Sequence, residues 1–145
     1  MMKMKFAAAA LIAMNLAHAG NGDDALALIR DLRCTTDIQV AGGVLKAMDI
    51  SNVPAQQVAA LRDSHNKING ERGKMAYRKY VVDGQRLIGG EAFTRESNVE
   101  VERALPIVSH FTTVSLMAPR NVYREILPLV LRAEVCVLVT ESVPK

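Results

Sequence analysis

The stretch of residues 126–139, ILPLVLRAEVCVLV, is the densest hydrophobic segment of the chain outside its amino terminus. Because burial of apolar surface drives folding, we expect the core of the protein to be built against it. Its second part, residues 133–140, alternates in a way that is typical of a β-strand, with Val135, Val137 and Val139 on one side. We therefore predict a strand that turns these valines to the core and is covered on both faces.

The amino-terminal part of the chain favours helices. Asp23 and Asp24 suit the first turn of a helix that runs to about Cys34. Thr36 and Gln39 have the spacing of a capping box, which predicts the start of a second helix. A strand in place of this second helix stays open, because the two glycines that follow weaken a helix.

A third helix is marked at both ends. Pro54 suits the first helical position, and Gly70 supplies a stop. Between them, one helical face is formed by Val58, Leu61, His65 and Ile68.

The middle of the chain favours β-structure. Residues 76–82 and 85–93 flank Asp83-Gly84, a dipeptide that favours the tight turn of a β-hairpin. The same region, residues 75–93, also satisfies helical spacing, so a helix is the alternative there.

Helix and strand signals alternate farther along the chain. Ser97 and Glu100 form a second capping box, which predicts a short helix that Pro106 ends. Residues 108–117 are rich in Thr, Val and Phe and predict a strand, whereas residues 122–131 fit either a helix or a strand. The predicted fold class is α+β, with amino-terminal helices packed on a carboxy-terminal, mostly antiparallel sheet and one disulfide. A mostly α-helical bundle is the alternative.

The first 19 residues have the three parts of a secretory signal peptide. Lys3 and Lys5 make a positive region, an apolar run follows over residues 6–17, and Ala-His-Ala ending at Ala19 fits the cleavage site. Cleavage there leaves residues 20–145 as a single globular domain. We expect a periplasmic or secreted protein without a stable membrane span.

The charge balance of the exported chain excludes one class of partner. Two of the 18 Lys and Arg residues precede Ala19, and none of the 15 Asp and Glu residues does, so the net charge falls from +3 to +1. A nucleic-acid-binding domain has a strongly basic surface. We therefore expect no nucleic-acid partner.

Cys34 and Cys136 are the only cysteines of the chain. An even count in an exported protein predicts a disulfide. It would connect the first helix to the last apolar element, and its Cα atoms must then lie within about 7 Å of each other.

The usual motifs of catalysis and metal binding are missing from the sequence. His65 and His110 lie in no zinc motif, and Ser109 beside His110 does not form a nucleophile and base because neighbouring side chains diverge. An acidic stretch contains Glu91, Glu96, Glu100 and Glu102, which is typical of a solvated surface. We predict no catalytic site, no metal and no cofactor.

One stretch suggests protein recognition. Residues 62–86 contain seven bases and three acids, with two tyrosines among them. Arg and Tyr are enriched where interfaces have energetic anchors, and a basic patch speeds the capture of an acidic partner. The predicted partner-binding residues are Arg72, Lys74, Tyr77, Arg78, Lys79, Tyr80 and Arg86.

These features favour a small, non-catalytic, exported protein-binding factor, such as an inhibitor, an immunity protein or an accessory of envelope assembly. Its partner would be another envelope or exported protein, of acidic character. Two alternatives stay open: a periplasmic binding protein for an apolar small molecule, and a hydrolase whose site has no recognisable motif.

Overall fold

The computed structural model describes residues 22–48, 51, 53–118 and 120–141 of the chain. Five α-helices follow one another: α1 (Gly22–Ala47), α2 (Ala55–Asn69), α3 (Glu71–Ile88), α4 (Gly90–Met117) and α5 (Val122–Glu141). The described residues contain no strand, so the predicted α+β class is wrong and the alternative, a mostly α-helical bundle, is correct. The predicted signal peptide, residues 1–19, lies outside the described residues.

Helix α1 is the centre of the bundle, because it packs against each of the other four helices. It runs without a break through Thr36, where the capping box predicted a new start. The Thr36 hydroxyl donates instead to the carbonyl oxygen of Leu32 (2.9 Å), one turn earlier in the same helix. Thr35 bonds back to Asp31 in the same way (2.6 Å). Side chains that bond back along a helix do not cap a new one.

The predicted hairpin around Asp83-Gly84 is part of helix α3. Gly84 is buried in the interior of the helix, and a Cβ atom there would collide with the ring of Phe93 in α4. The glycine that suggested a turn therefore permits close packing of two helices. The chain reverses five residues later at Gly89, whose φ of 91° favours glycine.

The Thr- and Val-rich residues 108–117 are helical as well, so the predicted strand there is wrong. Phe111 and Ser115 are buried one turn apart, and their packing outweighs the β propensity of the segment. The short helix predicted from Ser97 to Pro106 is also wrong, since Ser97 is buried inside α4 and the helix continues past Pro106.

Helix α5 replaces the predicted carboxy-terminal strand. Ala133, Cys136 and Val137 are buried, at helical spacing, whereas Val135 and Val139 are 56% and 43% exposed. The predicted common valine face therefore does not exist. The helical reading of residues 122–131 is the correct one, and its buried side chains are those of Val122, Ile126, Leu129 and Val130.

Cys34 in α1 and Cys136 in α5 form the predicted disulfide, with their Cα atoms 5.5 Å apart. Both residues are buried in the main core. The bond joins the first described helix to the last across a sequence separation of 102 residues. For a loop of this length the chain-entropy model gives a stabilisation of about 4 to 5 kcal/mol. The predicted contact between the first helix and the last apolar element is confirmed, with a helix in place of the strand.

The third predicted helix is also confirmed as α2, which begins directly after Pro54 and ends before Gly70. Its predicted face packs inward, because Leu61 and Ile68 are buried in the main core. No helix among the described residues is both long and apolar enough to cross a membrane.

Two adjacent glycines of α1 give a matched test of this packing. A Cβ atom at Gly42 would lie 2.5 Å from Asn69 Oδ1, and the Asn69 amide donates to the Gly42 carbonyl oxygen (3.2 Å). A Cβ atom at Gly43 would have no atom within 4 Å. We expect Gly43→Ala to raise the free energy of unfolding by about 0.5 to 1 kcal/mol, because alanine favours the helix.

Gly42→Ala must displace the Asn69 side chain, so it should be less stable than Gly43→Ala by about 1 to 2 kcal/mol. Urea unfolding of the two variants beside the original protein measures the difference. Equal stability of the two variants would contradict the described contact between α1 and α2.

Candidate functional site

An open groove of about 470 Å³ lies where α1, the end of α2 and the start of α3 meet, and we call it the basic groove. It is lined by Ile38, Gln39, Gly43, Lys46, Ile68, Asn69, Gly73, Lys74, Tyr77 and Arg78. Ile38 and Ile68 are buried and form its apolar floor. The polar and charged side chains rise around that floor, so the groove combines an apolar base with a basic rim.

The α1 wall of the basic groove follows from helical periodicity. Gln39, Gly43 and Lys46 recur at spacings of four and three residues, which puts them on one face. All three are exposed. The opposite face of α1 is apolar and buried in the core. Gly43 keeps this wall low, because it presents no side chain to the groove.

The α3 wall depends on a close approach between consecutive helices. Helices α2 and α3 are separated by Gly70 alone. A Cβ atom at Gly73 would collide with the Ile68 carbonyl oxygen, so only glycine fits this corner. The sharp corner directs the first two turns of α3 along the groove, and with them Lys74, Tyr77 and Arg78.

The electrostatics of the basic groove are one-sided. Three cations line it and no carboxylate does. Lys74 lies 3.5 Å from Glu71, in a half-exposed pair that contributes little energy. Among the described residues, no carboxylate lies within 4 Å of the charged groups of Lys46 or Arg78. A segment that brings negative charge into the groove would therefore meet cations that need little rearrangement.

The structure distributes the seven predicted partner-binding residues over several surroundings. Lys74, Tyr77 and Arg78 line the basic groove. Arg72 makes a two-bond ion pair with Glu141 at the end of α5. These four residues are therefore not one continuous surface, since Arg72 faces another helix.

Like Arg72, the other three predicted residues lie away from the basic groove. Lys79 and Arg86 both pair with Asp83 on the outer face of α3. Tyr80 is buried, and its hydroxyl donates to the Cys136 carbonyl oxygen (2.6 Å). Tyr80 thus supports the helix that carries the disulfide.

Sequence reasoning missed the contributions of α1 and α2 to the groove, which are Gln39, Lys46 and Asn69. The sequence signal for Gln39 and Lys46 was the face of α1 opposite its apolar stripe, where Gln39, Gly43 and Lys46 are spaced at i, i+4 and i+7. Asn69 gave no signal, because its place depends on the contact between two helices distant in sequence.

A second cleft, of about 350 Å³, lies between α1, α4 and α5 and contains the carboxylates of Asp37 and Glu100. Burial raises the pKa of Asp37, and the nearby Arg132 (3.6 Å) opposes this rise. Glu100 pairs with Arg103 (3.0 Å). Each carboxylate is therefore engaged by an arginine: the pair of Asp37 and Arg132 joins α1 to α5, whereas Glu100 and Arg103 lie in the same helix.

The histidines do not form a catalytic arrangement with these acids. His110 Nε2 lies 3.1 Å from Glu125 Oε2 in an exposed pair between α4 and α5. His65 borders a small hollow beside Leu45, Met48 and Leu61. No cluster of three or more possible metal ligands occurs among the described residues.

A buried acid makes the stability of the bundle depend on pH. The Asp31 side chain is fully buried, and its Oδ2 atom has no hydrogen-bond partner. Burial raises the pKa of Asp31, although Arg30 beside it opposes the rise. An acid with a higher pKa in the folded state binds more protons when folded, so stability falls as pH rises above the ordinary pKa of about 4.

We expect Asp31→Asn to raise the free energy of unfolding at pH 7 and to flatten its fall between about pH 4 and 7, because the buried charge is removed. Urea unfolding at several pH values measures both effects. Asp63→Asn, at a largely exposed carboxylate paired with Lys67, is the control and should change the profile little. An Asp31→Asn protein that loses stability at pH 7 would contradict the expectation.

The two tyrosines of α3 provide a test of their separate positions. We expect Tyr80→Phe to lower the free energy of unfolding by about 1 kcal/mol, because it removes a buried hydrogen bond to Cys136. Tyr77→Phe is the control, since Tyr77 is half-buried and its hydroxyl makes no described bond. Thermal or urea unfolding compares them, and equal losses would contradict the assignment of Tyr80 to the core.

Comparison with known proteins gives no match: no family model, no curated protein and no solved structure is similar to this chain. Its function must therefore be argued from the groove and its surroundings.

Proposed function

We propose that the protein is a non-catalytic, exported binding factor that recognises an acidic segment of another envelope or exported protein in the basic groove. The observation that carries this proposal is the lining of the groove, which contains three cations and no carboxylate. Elsewhere in residues 62–86, Arg72, Lys79 and Arg86 are paired with acids of the same chain. In the groove Lys74 also has such a pair, with Glu71, whereas no ion pair with a described acid is seen for Lys46 or Arg78. Lys46 and Arg78 are therefore the cations that the groove offers to a partner.

The shape of the groove limits the kind of segment that fits. Ile38 and Ile68 offer an apolar floor, which suits one apolar side chain of the partner. Lys46 reaches the groove from one wall, and Lys74 and Arg78 reach it from the other. A short segment with an apolar residue flanked by two or three carboxylates satisfies both features.

The energetic roles of the lining residues differ. Tyr77 is half-buried against the main core, so it offers a rigid aromatic surface with little entropy to lose on binding. Arg78 can pair with a carboxylate through two parallel hydrogen bonds. Lys46 and Lys74 are exposed at the rim, where charges mainly increase the rate of association and make it depend on salt.

The disulfide is consistent with the proposed export of the chain. A buried disulfide suits an oxidising compartment, which is where the signal-like residues 1–19 would direct the chain. The open, charged groove favours a protein segment over an apolar small molecule, which needs an enclosed pocket. The arginine-paired Asp37 and Glu100 speak against a hydrolase.

We expect the double variant Lys46→Glu, Arg78→Glu to lose partner capture by at least about tenfold, because like charges face each other across the interface. The measurement uses the exported chain, residues 20–145, as bait in a pull-down from an envelope extract of its host. The captured protein is identified by mass spectrometry and then retested in purified form over a range of salt concentrations.

The control for this experiment is the double variant Arg62→Glu, Arg86→Glu, which changes the net charge equally. Both of its residues are exposed and lie outside the groove lining. Capture that survives the groove variant, or that both variants abolish equally, would overturn the proposed site. A photoreactive phenylalanine at Gln39, compared with one at Arg62, then shows whether the cross-linked segment of the partner is acidic.

A further inference from the structure

The outer face of α5 exposes a row of apolar side chains, which we call the α5 stripe. It consists of Pro128, Leu131, Val135, Leu138 and Val139. Leu131 is 49% exposed, and Val135 and Leu138 are each 56% exposed. A stripe of this length on one helix is not needed by the bundle, whose core the opposite face of α5 already fills. Exposed apolar faces of this kind mark interaction surfaces.

Three charged residues beside the α5 stripe have ion-pair partners within the chain. Arg132 lies 3.6 Å from Asp37 of α1, and Glu125 lies 3.1 Å from His110 of α4. Glu141 pairs with Arg72 of α3. Because these flanking charges already have partners, the occupant of the stripe must offer an apolar face rather than a charged one.

The spacing of the stripe indicates the shape of its occupant. Residues 128, 131, 135 and 138 alternate steps of three and four, the spacing of a seam between two packed helices. Within the part of the chain that the structure describes, α5 carries such a face. We propose that the α5 stripe binds the α5 stripe of a second copy of this chain, with the two helices antiparallel and related by a two-fold axis that passes between Leu131 and Val135.

The charge at the start of α5 selects the antiparallel direction. Arg124 is exposed at the first turn, on the same face as the stripe, and Glu141 ends the helix. A parallel pair would place Arg124 against Arg124 of the partner subunit, which is unfavourable. The antiparallel pair separates the two Arg124 side chains by most of the length of the helix. It also aligns Leu131 with the partner's Val135.

The length of the helix limits the area that the stripe can cover. A helix of 20 residues is about 30 Å long. A standard interface covers about 800 Å² on each partner. The stripe alone does not reach that area, so the contact extends sideways over the stem of Arg132 to the exposed Ile107 of α4, which line one hollow.

The α5 stripe shares no residue with the basic groove. Dimerisation through the stripe therefore leaves both grooves open, and a dimer presents two of them to one partner or to two. The inference does not depend on the proposed function, because dimerisation and partner capture are tested in separate experiments.

Sedimentation of the exported chain at micromolar concentration tests the proposal. We expect a dimer, and we expect the double variant Leu131→Glu, Val135→Glu to be a monomer with an unchanged helical circular dichroism spectrum. The control is the double variant Leu26→Glu, Met117→Glu, which adds the same two charges outside the stripe. These side chains lie on other helices and are 69% and 81% exposed, so the new charges stay in solvent. The control should remain a dimer. A monomeric original protein, or a dimer that survives the stripe variant, would overturn the proposal.

Single cysteine substitutions within the stripe test the direction of the helices. A mixture of Leu131→Cys and Val135→Cys proteins should form a disulfide-linked dimer that contains one chain of each variant, because these positions align in the antiparallel pair. Val135→Cys mixed with Leu26→Cys is the control and should give no such product. Cross-linking of Leu131→Cys alone, as strong as that of the mixture, would indicate parallel helices and contradict the proposal.

Discussion

The disulfide between Cys34 and Cys136 is the constraint on which the rest of the bundle depends. It fixes α5 on α1, the helix that every other helix touches. Tyr80 of α3 donates to the carbonyl oxygen of the same Cys136, so a third helix is tied to the junction. The position of α3 then sets the second wall of the basic groove. The covalent bond in the core is thus connected to the surface through one buried hydrogen bond.

The fold could be predicted where one signal was unopposed, as in α2 with its proline start and glycine stop. It could not be predicted from β propensity, because valine and threonine accept a helix when packing favours it. Valine recurs at alternate positions within residues 133–140, but this segment is helical. Continuing the helical count from Val122 through Ile126 would have reached Ala133 and Val137, which are the buried positions. The helical period over 20 residues was the stronger signal.

Only part of the candidate site could be predicted from the sequence, because a local charge count does not say which cations are already paired. Arg72 and Glu141 are 69 residues apart, and neither local sequence predicts their contact. The glycines were visible but ambiguous. Gly84 suggested a turn, whereas the missing Cβ atom there allows α3 and α4 to touch. A glycine inside a helical pattern therefore indicates close packing as well as a break.

Helix α5 connects the core to the proposed interface through its composition. Helix α5 has apolar residues on its inner face and a second row of them on its outer face, with charged residues between the two. The bundle buries only one face of α5, around Ile126, Ala133 and Val137, and leaves the other face in solvent. Neither the disulfide nor the core requires leucine and valine on that outer face. Their presence at the spacing of a helix seam is explained when a second helix covers them, and the most economical source of such a helix is another copy of the chain.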